Sequence, residues 1–288
     1  MLKNTFLHIS GVGLKKEKKI WENQAREWNS FLKNNNSIFS KSQHAEILEK
    51  IELSKLNLSK KDANYFYNVL PSNEQWRLFH EFKNNVLYLD IETNGSNPDS
   101  NIITTISTYD GENIKYYVNG KNLDEFVNHV YQYKILITYN GKTFDIPFIE
   151  KFFNIQLDHA QIDLRYVLKN LGFKGGLKSC EKQLGLLRNE LDGVDGYFAI
   201  HLWNDYYYNN NIKALNTLLA YNIEDVINLE HLMHLAYNLN IEKLGLDYVE
   251  KVTIPQRPEI LFKPDMNTIK DIKSKMNPFH SFDPYNHF

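Results

Sequence analysis

The chain has 288 residues, of which 42% are hydrophobic, 14% aromatic and 24% charged, which is ordinary for a folded protein. No stretch approaches the roughly eighteen consecutive apolar residues of a membrane-spanning helix, and the first residues lack the apolar segment of a signal peptide. The single cysteine, Cys180, excludes an internal disulfide and cannot by itself form a zinc site. We therefore expect a cytoplasmic protein that does not enter a membrane.

The net charge is only −2, but the charges are unevenly distributed along the chain. Residues 1–83 contain 14 Lys and Arg against 9 Asp and Glu, a balance of +5. The remaining residues contain 19 against 26, a balance of −7. This asymmetry is expected if an acidic body binds metal ions and a basic region meets nucleic-acid phosphates. Chance asymmetry on solvated helices gives the same pattern and stays open as the alternative.

The first segment, residues 1–83, is predicted to form short helices and no strands. The predicted helices cover residues 15–31, 43–53, 59–70 and 72–82. Ser59 and Ser72 are the expected N-terminal caps of the last two helices, and Pro71 separates them.

A glycine-containing turn precedes the first of these helices. The sequence Ile9-Ser10-Gly11-Val12-Gly13-Leu14 leads directly into a basic helix start at Lys15. It resembles the hairpin of a helix-hairpin-helix motif, in which glycines let backbone N–H groups approach a DNA phosphate. The resemblance implies that Gly11, Gly13 and Lys15 bind the phosphate backbone without reading base sequence. A tight turn before a solvated helix is the alternative, and residues 3–8 are short for the motif's first helix.

The second segment, residues 84–250, begins with three predicted strands that are rich in β-branched and aromatic residues. These strands cover residues 86–92, 102–108 and 114–118, and glycine-containing turns separate them. A helix at 123–131, a buried strand at 135–139, a helix that opens near Thr143 and further helices to about Tyr248 follow. A three-stranded meander followed by strand–helix alternation predicts an α/β sheet with helices on both faces.

The third segment, residues 251–288, is a C-terminal tail that holds five of the eight prolines. Proline disfavours helix interiors and central strands, so we expect extended chain on the surface. The sequence contains no internal repeat.

Two carboxylates lie two residues apart on the first predicted strand. Because side chains alternate across a strand, Asp90 and Glu92 leave the same face, about 7 Å apart. The apolar side chains of Leu87, Leu89 and Ile91 leave the other face. Two acids on a largely buried strand repel each other and lose hydration unless a cation lies between them. An Asp-x-Glu triplet alone is common by chance, so the pair needs further support.

Two more carboxylates fall at helix positions. Asp145 is in the first turn of the helix that Thr143 is predicted to cap, where an acid also complements the helix dipole. Asp225 lies in the apolar stripe of a helix predicted over residues 212–238, and Tyr221 lies one turn earlier on nearly the same face. A buried Asp needs a partner that offsets its desolvation, and a metal ion, an arginine or backbone groups could each provide one.

Together these positions resemble the three exonuclease motifs of the DEDD superfamily, in its tyrosine-bearing DEDDy branch. The motifs are Leu89-Asp90-Ile91-Glu92-Thr93, Asn140-Gly141-Lys142-Thr143-Phe144-Asp145 and Tyr221-x-x-x-Asp225. The resemblance covers about residues 84–240 and is nearest to the proofreading exonuclease domain of family B DNA polymerases. Gly175-Gly176-Leu177-Lys178, with Glu181 and Leu184-Gly185, also resembles the stand-alone bacterial and archaeal branch. The implied fold is a ribonuclease H-like mixed sheet flanked by helices, here preceded by the small helical region.

The resemblance implies a metal-dependent 3′→5′ exonuclease that hydrolyses phosphodiester bonds with two Mg²⁺ or Mn²⁺ ions. It implies that Asp90, Glu92 and Asp225 are metal ligands. It also implies that Asp145 acts as a ligand through water and that Tyr221 orients or deprotonates the attacking water. The predicted contacts to the terminal nucleotide are Thr93, Asn140 and Phe144. The candidate phosphate contacts are Lys174, Lys178 and Arg188, for which simple solvation is the alternative.

The leading functional hypothesis is an exonuclease that prefers single-stranded DNA, because an end must thread into the carboxylate cleft and stack its bases. An exoribonuclease is the alternative with the same chemistry, since only contacts to the 2′-OH would distinguish the two substrates. A nucleic-acid-binding module with an inactive nuclease fold is a third hypothesis, and the intact acidic positions argue against it. Nucleic acid is thus the expected partner, and the sequence does not identify protein partners.

Overall fold

The structure is a computed structural model, which describes residues 1–33, 39–95, 101–188, 191 and 193–276. Its N-terminal part is helical, as predicted. The α-helices there are α1 (Leu14–Glu22), α2 (Trp28–Lys33), α3 (Lys41–Ser59), α4 (Ala63–Val69) and α5 (Phe79–Phe82). Short 3-10 turns at Leu2–Asn4, Ser72–Leu78 and Lys83–Asn85 connect to these helices.

Local backbone geometry moves several helix ends away from their predicted positions. The helix predicted over 15–31 is two helices, since Gln24 takes a left-handed conformation (φ 63°) soon after α1 ends. Ser59 is the last residue of α3 and not the cap of the next helix. The carboxylate of Asp62 caps α4 instead, by accepting a hydrogen bond from the backbone N–H of Tyr65 at 2.9 Å.

Within the described residues, five strands form one mixed sheet in the order β3-β2-β1-β4-β5. The strands are β1 (Val86–Thr93), β2 (Ile103–Tyr109), β3 (Ile114–Val118), β4 (Ile135–Thr138) and β5 (Ala160–Asp163). β1 pairs antiparallel with β2 and parallel with β4, so it lies at the centre of the sheet. The predicted strands are confirmed to within one residue at each end. β5 was not predicted, because its four residues form no apolar run.

Helices cover both faces of the sheet, as predicted. They are α6 (Glu125–Val130), α7 (Asp145–Phe153), α8 (Leu164–Leu171), α9 (Leu177–Gln183), α10 (Gly196–Asn209) and α11 (Ile212–Leu244). On one face, Leu89 and Ile91 of β1 join a hydrophobic cluster with Phe126 of α6 and Ile149 of α7. The 33-residue helix α11 crosses the other face, where it contacts β1 and β2.

The N-terminal helices share one hydrophobic core with the sheet. Phe66 of α4 and Phe79 of α5 are fully buried in the same cluster as Tyr88 of β1 and Tyr237 of α11. The rings of Phe79 and Tyr237 lie 6.0 Å apart between centroids. Removing residues 1–83 would therefore expose apolar surface on α11 and β1.

The C-terminal tail is extended over only part of its length. Residues 251–265 run along the surface. The side-chain amide of Asn238 on α11 donates to the backbone carbonyl of Val252 at 2.8 Å and accepts from its backbone N–H at 2.9 Å. A helix, α12 (Met266–Met276), follows, which corrects the prediction of extended chain. It forms because Ile269 and Ile272, three residues apart, bury one face against α10 and α11. Residues 277–288, with two of the prolines, lie outside the described residues.

No helix in the described part of the chain combines the length and apolar character that crossing a bilayer requires.

Candidate active site

Three carboxylates from two elements converge over the central strand. The side chains of Asp90 and Glu92 lie on the face of β1 opposite the apolar cluster that contains Leu89 and Ile91. Asp225, on α11, lies over the same face as the two acids. Each offers a carboxylate oxygen, and these atoms all lie within 4.8 Å of one another. Alternation along a strand and one helix crossing it are sufficient to bring the acids together. Hard cations such as Mg²⁺ and Mn²⁺ favour oxygen ligands of this kind.

Burial makes this acidic cluster costly without a counter-charge. Glu92 is 8% exposed and Asp225 is 3% exposed. Loss of hydration, followed by repulsion from Asp225, raises the pKa values of both Asp90 and Glu92 well above their usual range. A divalent cation among these oxygens would remove both costs, so the residues present fit a metal site.

Asp145 stands beside the cluster as the first residue of α7. β4 pairs with β1 only as far as Tyr88, and beyond that point the backbone N–H of Ile91 donates to Oδ1 of Asp145 at 3.2 Å. Burial raises the pKa of the Asp145 carboxyl to about 7. Asp145 is not one of the three acids whose oxygens lie within 4.8 Å of one another, so its role as a ligand through water stays a prediction.

The loop that delivers Asp145 is shaped by Asp163, at the end of the unpredicted strand β5. The Asp163 carboxylate accepts hydrogen bonds from the backbone N–H groups of Asn140 at 2.8 Å and Lys142 at 3.2 Å. Gly141 is required here, because a Cβ at this position would lie 2.3 Å from Oγ1 of Thr138. The hydroxyl of Thr143 donates to Asn140 within the loop, so it does not cap α7 as predicted.

Asn222, which the sequence reasoning missed, holds Asp90 in place. Its side-chain N–H donates to Oδ2 of Asp90 at 2.6 Å. Its side-chain oxygen accepts from the hydroxyls of Ser107 at 2.7 Å and Thr105 at 3.1 Å, both on β2. Asn222 is fully buried and follows Tyr221 directly on α11. In the sequence, the only sign of a role for Asn222 was its position as a polar residue beside an apolar helical stripe. Its hydrogen-bond partners could be identified only from the fold.

Tyr221 lies at the wall of the site, 5% exposed. Burial, followed by repulsion from Asp225, raises the pKa of its hydroxyl well above the usual value. The Nζ of Lys178 lies 4.5 Å from the centre of the Tyr221 ring. That ammonium is buried and has no hydrogen-bond partner among the described residues, and burial lowers the pKa of Lys178. The hydroxyl therefore stays protonated at neutral pH and can orient a water more readily than deprotonate it.

Arg188 links Asp225 to a second buried acid. Its Nε and Nη2 donate to the two oxygens of Glu181 at 2.6 and 2.5 Å, and the same Nη2 contacts Oδ1 of Asp225. The side chains of Arg188 and Glu181 are 5% and 1% exposed. Burial raises the pKa of Asp225, and the Arg188 guanidinium opposes that rise. Because carboxylates occupy two of its nitrogens, a phosphate contact by Arg188 stays a prediction that the contacts do not favour.

The acids open into a cavity of about 450 Å³. Three predicted nucleotide contacts, Thr93, Phe144 and Lys178, line it, and Phe144 is 43% exposed. Asn140 and Lys174 line an adjoining cavity. The structure therefore distributes the predicted contacts over two neighbouring spaces.

The glycines of the N-terminal turn line neither of these two cavities. Gly11 has a positive φ of 75° and lies in a tight turn, where Val12 N–H donates to the carbonyl of Ile9 at 3.1 Å. Residues 5–13 contain no α-helix, so the first helix of a helix-hairpin-helix motif is not formed. Phosphate binding by Gly11, Gly13 and Lys15 stays a prediction.

A mixed sheet of this order, with acids on its central strand and on the helix that crosses it, defines an RNase H-like class of protein. The family model of the RNase_H superfamily matches residues 87–237, more than half of the chain. The chain belongs to the RNase_H superfamily.

Among solved structures, the chain is similar to a family B DNA polymerase from the hyperthermophilic archaeon Pyrobaculum calidifontis, at 17% sequence identity and a TM-score of 0.35. That match covers 62% of this chain and 31% of the polymerase chain. No curated protein matches the sequence. The nucleases of this superfamily use divalent metal ions, and the acid cluster of this chain has the residues to hold such an ion.

Proposed function

We propose that the protein is a DEDDy-type 3′→5′ exonuclease that hydrolyses single-stranded DNA from its 3′ end. The observation that carries the proposal is the convergence of Asp90, Glu92 and Asp225 within 4.8 Å, with Tyr221 one helical turn before Asp225. The order and spacing of these residues support the DEDDy branch, and the cavity beside them offers room for a strand end.

In this proposal Asp90, Glu92 and Asp225 hold two Mg²⁺ or Mn²⁺ ions, and Asp145 contributes through water. When bound, the ions would make water a stronger nucleophile and neutralise charge on the leaving 3′ oxygen. Asn222 fixes the orientation of Asp90, which keeps one carboxylate oxygen directed at the site. The protonated hydroxyl of Tyr221 orients the attacking water.

The cavity walls suggest how the terminal nucleotide is held. Phe144 is an exposed aromatic ring beside the acids, which suits stacking of a base. Lys178 offers a buried ammonium without a hydrogen-bond partner among the described residues, which suits a phosphate oxygen. Thr93, at the end of β1, can contact the sugar or base.

The test is an incubation of single-stranded DNA and RNA oligomers, labelled at the 5′ end, with Mg²⁺, Mn²⁺ or chelator. We expect a ladder of stepwise shortened DNA with either ion, none in chelator, and resistance of circular or 3′-blocked strands. The matched controls are Asp90→Asn, which should be inactive, and Asp247→Asn, an exposed acid that should not matter. Faster cleavage of RNA would make the protein an exoribonuclease. Internal cuts on a circular strand, or full activity in chelator, would contradict the proposal.

A further inference from the structure

A second cavity, of about 530 Å³, adjoins the site cavity. The two cavities share Tyr139, Gly176 and Leu177 as a common wall. The remaining lining residues, which define what we name the basic groove, are Asn140, Arg165, Lys169, Phe173, Lys174 and Gly175. A nucleic-acid strand that passes from the carboxylates over this wall would enter the groove directly.

The charge of the groove is opposite to that of its surroundings. Residues 84–288 carry a net charge of −7, yet the lining contains Arg165, Lys169 and Lys174 and no Asp or Glu. Arg165 and Lys169 lie four residues apart on α8, so they project from the same side of that helix. Lys174 precedes α9. Three cations around one concave surface create a local positive potential suited to a polyanion.

The hydrogen bonds that fix the shape of the groove do not involve the side chains of Lys169 and Lys174. Arg165 makes one such bond. The hydroxyl of Tyr139 donates to the carbonyl of Gly175 at 2.6 Å. The backbone carbonyl of Lys174 accepts from Gln183 at 2.8 Å and from the hydroxyl of Ser179 at 3.0 Å. The loop is therefore fixed while the Nζ of Lys174 stays free for a ligand, which lowers the entropic cost of binding.

One contact ties the groove to the predicted terminal-nucleotide residues. Arg165 donates from Nη1 to Oδ1 of Asn140 at 2.5 Å. The partly exposed rings of Tyr139 and Phe173 line the same space. Cations with interleaved aromatic rings are the combination that binds single-stranded nucleic acid without sequence preference.

The geometry points to the basic groove as the binding track for the strand segment on the 5′ side of the terminal nucleotide. This inference rests on the proposed function, because it assumes a strand end at the carboxylates. Arg165, Lys169 and Lys174 contact successive phosphates, and the aromatic rings stack the intervening bases. Affinity then depends on strand length and on salt, whereas the chemistry depends on the acids.

The test compares two triple variants that remove the same charge. One is Arg165→Gln, Lys169→Gln, Lys174→Gln in the groove, and the control is Lys60→Gln, Lys115→Gln, Lys151→Gln at exposed positions outside both cavities. Binding of fluorescent oligothymidylate of about twenty nucleotides is measured against salt concentration, in an Asp90→Asn background that prevents cleavage. Cleavage of a dinucleotide, whose single phosphodiester lies at the carboxylates and leaves no further phosphate for the groove cations, is measured with Asp90 intact.

We expect the groove variant to bind the long strand about tenfold more weakly or worse, and the salt slope to fall by about 2, at about 0.7 per lost phosphate contact. The control should change the Kd by less than about threefold, since only long-range charge is altered. Equal shifts in both triple variants would overturn the groove assignment and leave only a general charge effect. If the unaltered protein cleaved neither the long strand nor the dinucleotide, the proposed function would fail instead, so the two failures are distinguishable.

Discussion

Two of the buried charge clusters among the described residues differ in how their charge is compensated. In the N-terminal part, Arg77 lies between Glu17 at 3.0 Å and Glu74 at 2.7 Å, and all three are nearly inaccessible to solvent. Glu17 also accepts from the hydroxyl of Thr5 and the backbone N–H of Phe6, each at 2.7 Å. We name these residues the N-terminal charge cluster. Its carboxylates are compensated by the chain itself.

The acidic site, formed by Asp90, Glu92 and Asp225, is compensated only in part. Asn222 supplies a neutral hydrogen bond to Asp90, and Arg188 divides its charge between Asp225 and Glu181. The negative charge that these contacts leave uncompensated can be neutralised only by protons or by cations from solution. A cluster whose charges are compensated by the chain contributes to stability, whereas a cluster with uncompensated charge provides a binding site for cations. Substitutions can separate these two roles.

The largest effect is expected at Asp90. Asp90→Asn should lower the cleavage rate by about 10³-fold or more, because several kcal/mol of metal-mediated stabilisation are lost. In chelator the same variant should unfold at a higher temperature than the unaltered protein, since one of the repelling buried charges is gone while an amide oxygen can still accept from Asn222. Single-turnover kinetics and thermal unfolding measure the two quantities. A variant that is destabilised in chelator would show that the site is already compensated.

Tyr221→Phe should lower the cleavage rate by about 10²–10⁴-fold, the range of an orienting or acid–base group. The change removes one oxygen and keeps the ring under Lys178, so folding and metal dependence should persist. Tyr208→Phe, at a tyrosine that is 74% exposed, is the matched control. Equal single-turnover rates for Tyr221→Phe and the control would make Tyr221 a packing residue and remove the residue that distinguishes the DEDDy branch.

In the N-terminal charge cluster the expected effect is on stability alone. Arg77→Met should cost about 3–5 kcal/mol of unfolding free energy, because it leaves buried carboxylates without a partner. Adding Glu17→Gln to this variant should restore part of the loss, as a double-mutant cycle of urea unfolding would show. The rate per folded molecule should not change. A loss of rate without loss of stability would mean that the cluster acts on the site.

The sequence was sufficient for the parts of the fold that are encoded locally. β4 and the first half of β1 are apolar runs, and the alternation that separates Asp90 and Glu92 from Leu89 and Ile91 can be read directly from residue order. The helix that carries Tyr221 and Asp225 shows its period over many turns, so it was predicted, although α11 continues to Leu244. β5 has four residues and no apolar run, so no local pattern identified it.

The supporting contacts of the site were not predictable, because they join residues that are distant in sequence. Asn222 and Asp90 are 132 positions apart, and Asp163 reaches back 23 positions to Asn140. Periodicity indicates which face a side chain occupies but not which partner lies opposite. Arg188 shows the consequence: its charge suggested a phosphate contact, whereas the fold places two carboxylates against it.

Arg188 allows the most direct comparison of the acidic site with the N-terminal charge cluster, because it lies between two acids as Arg77 does. Arg188→Gln should destabilise the protein in chelator by about 2–3 kcal/mol, somewhat less than Arg77→Met, because Asp225 lines the site cavity. In saturating Mn²⁺ the loss should shrink, since a cation near Asp225 compensates that acid and leaves only Glu181 without its partner. Thermodynamic linkage then requires Mn²⁺ to bind the variant more tightly, by about tenfold for a recovery of about 1.4 kcal/mol. Arg77→Met should cost the same with and without Mn²⁺, because no metal ligand is near it.

The measurements are urea unfolding with and without Mn²⁺, and Mn²⁺ titration followed by electron paramagnetic resonance. Glu181→Gln combined with Arg188→Gln is the control, because it removes the second unpaired acid and should bring the protein in Mn²⁺ close to the stability of the unaltered chain. If Arg188 served only as a phosphate contact, its replacement would weaken DNA binding and leave both the stability in chelator and the Mn²⁺ affinity unchanged. If Mn²⁺ bound the variant more weakly, Arg188 would act chiefly by orienting Asp225, and the acidic site would depend on its arginine for geometry more than for charge.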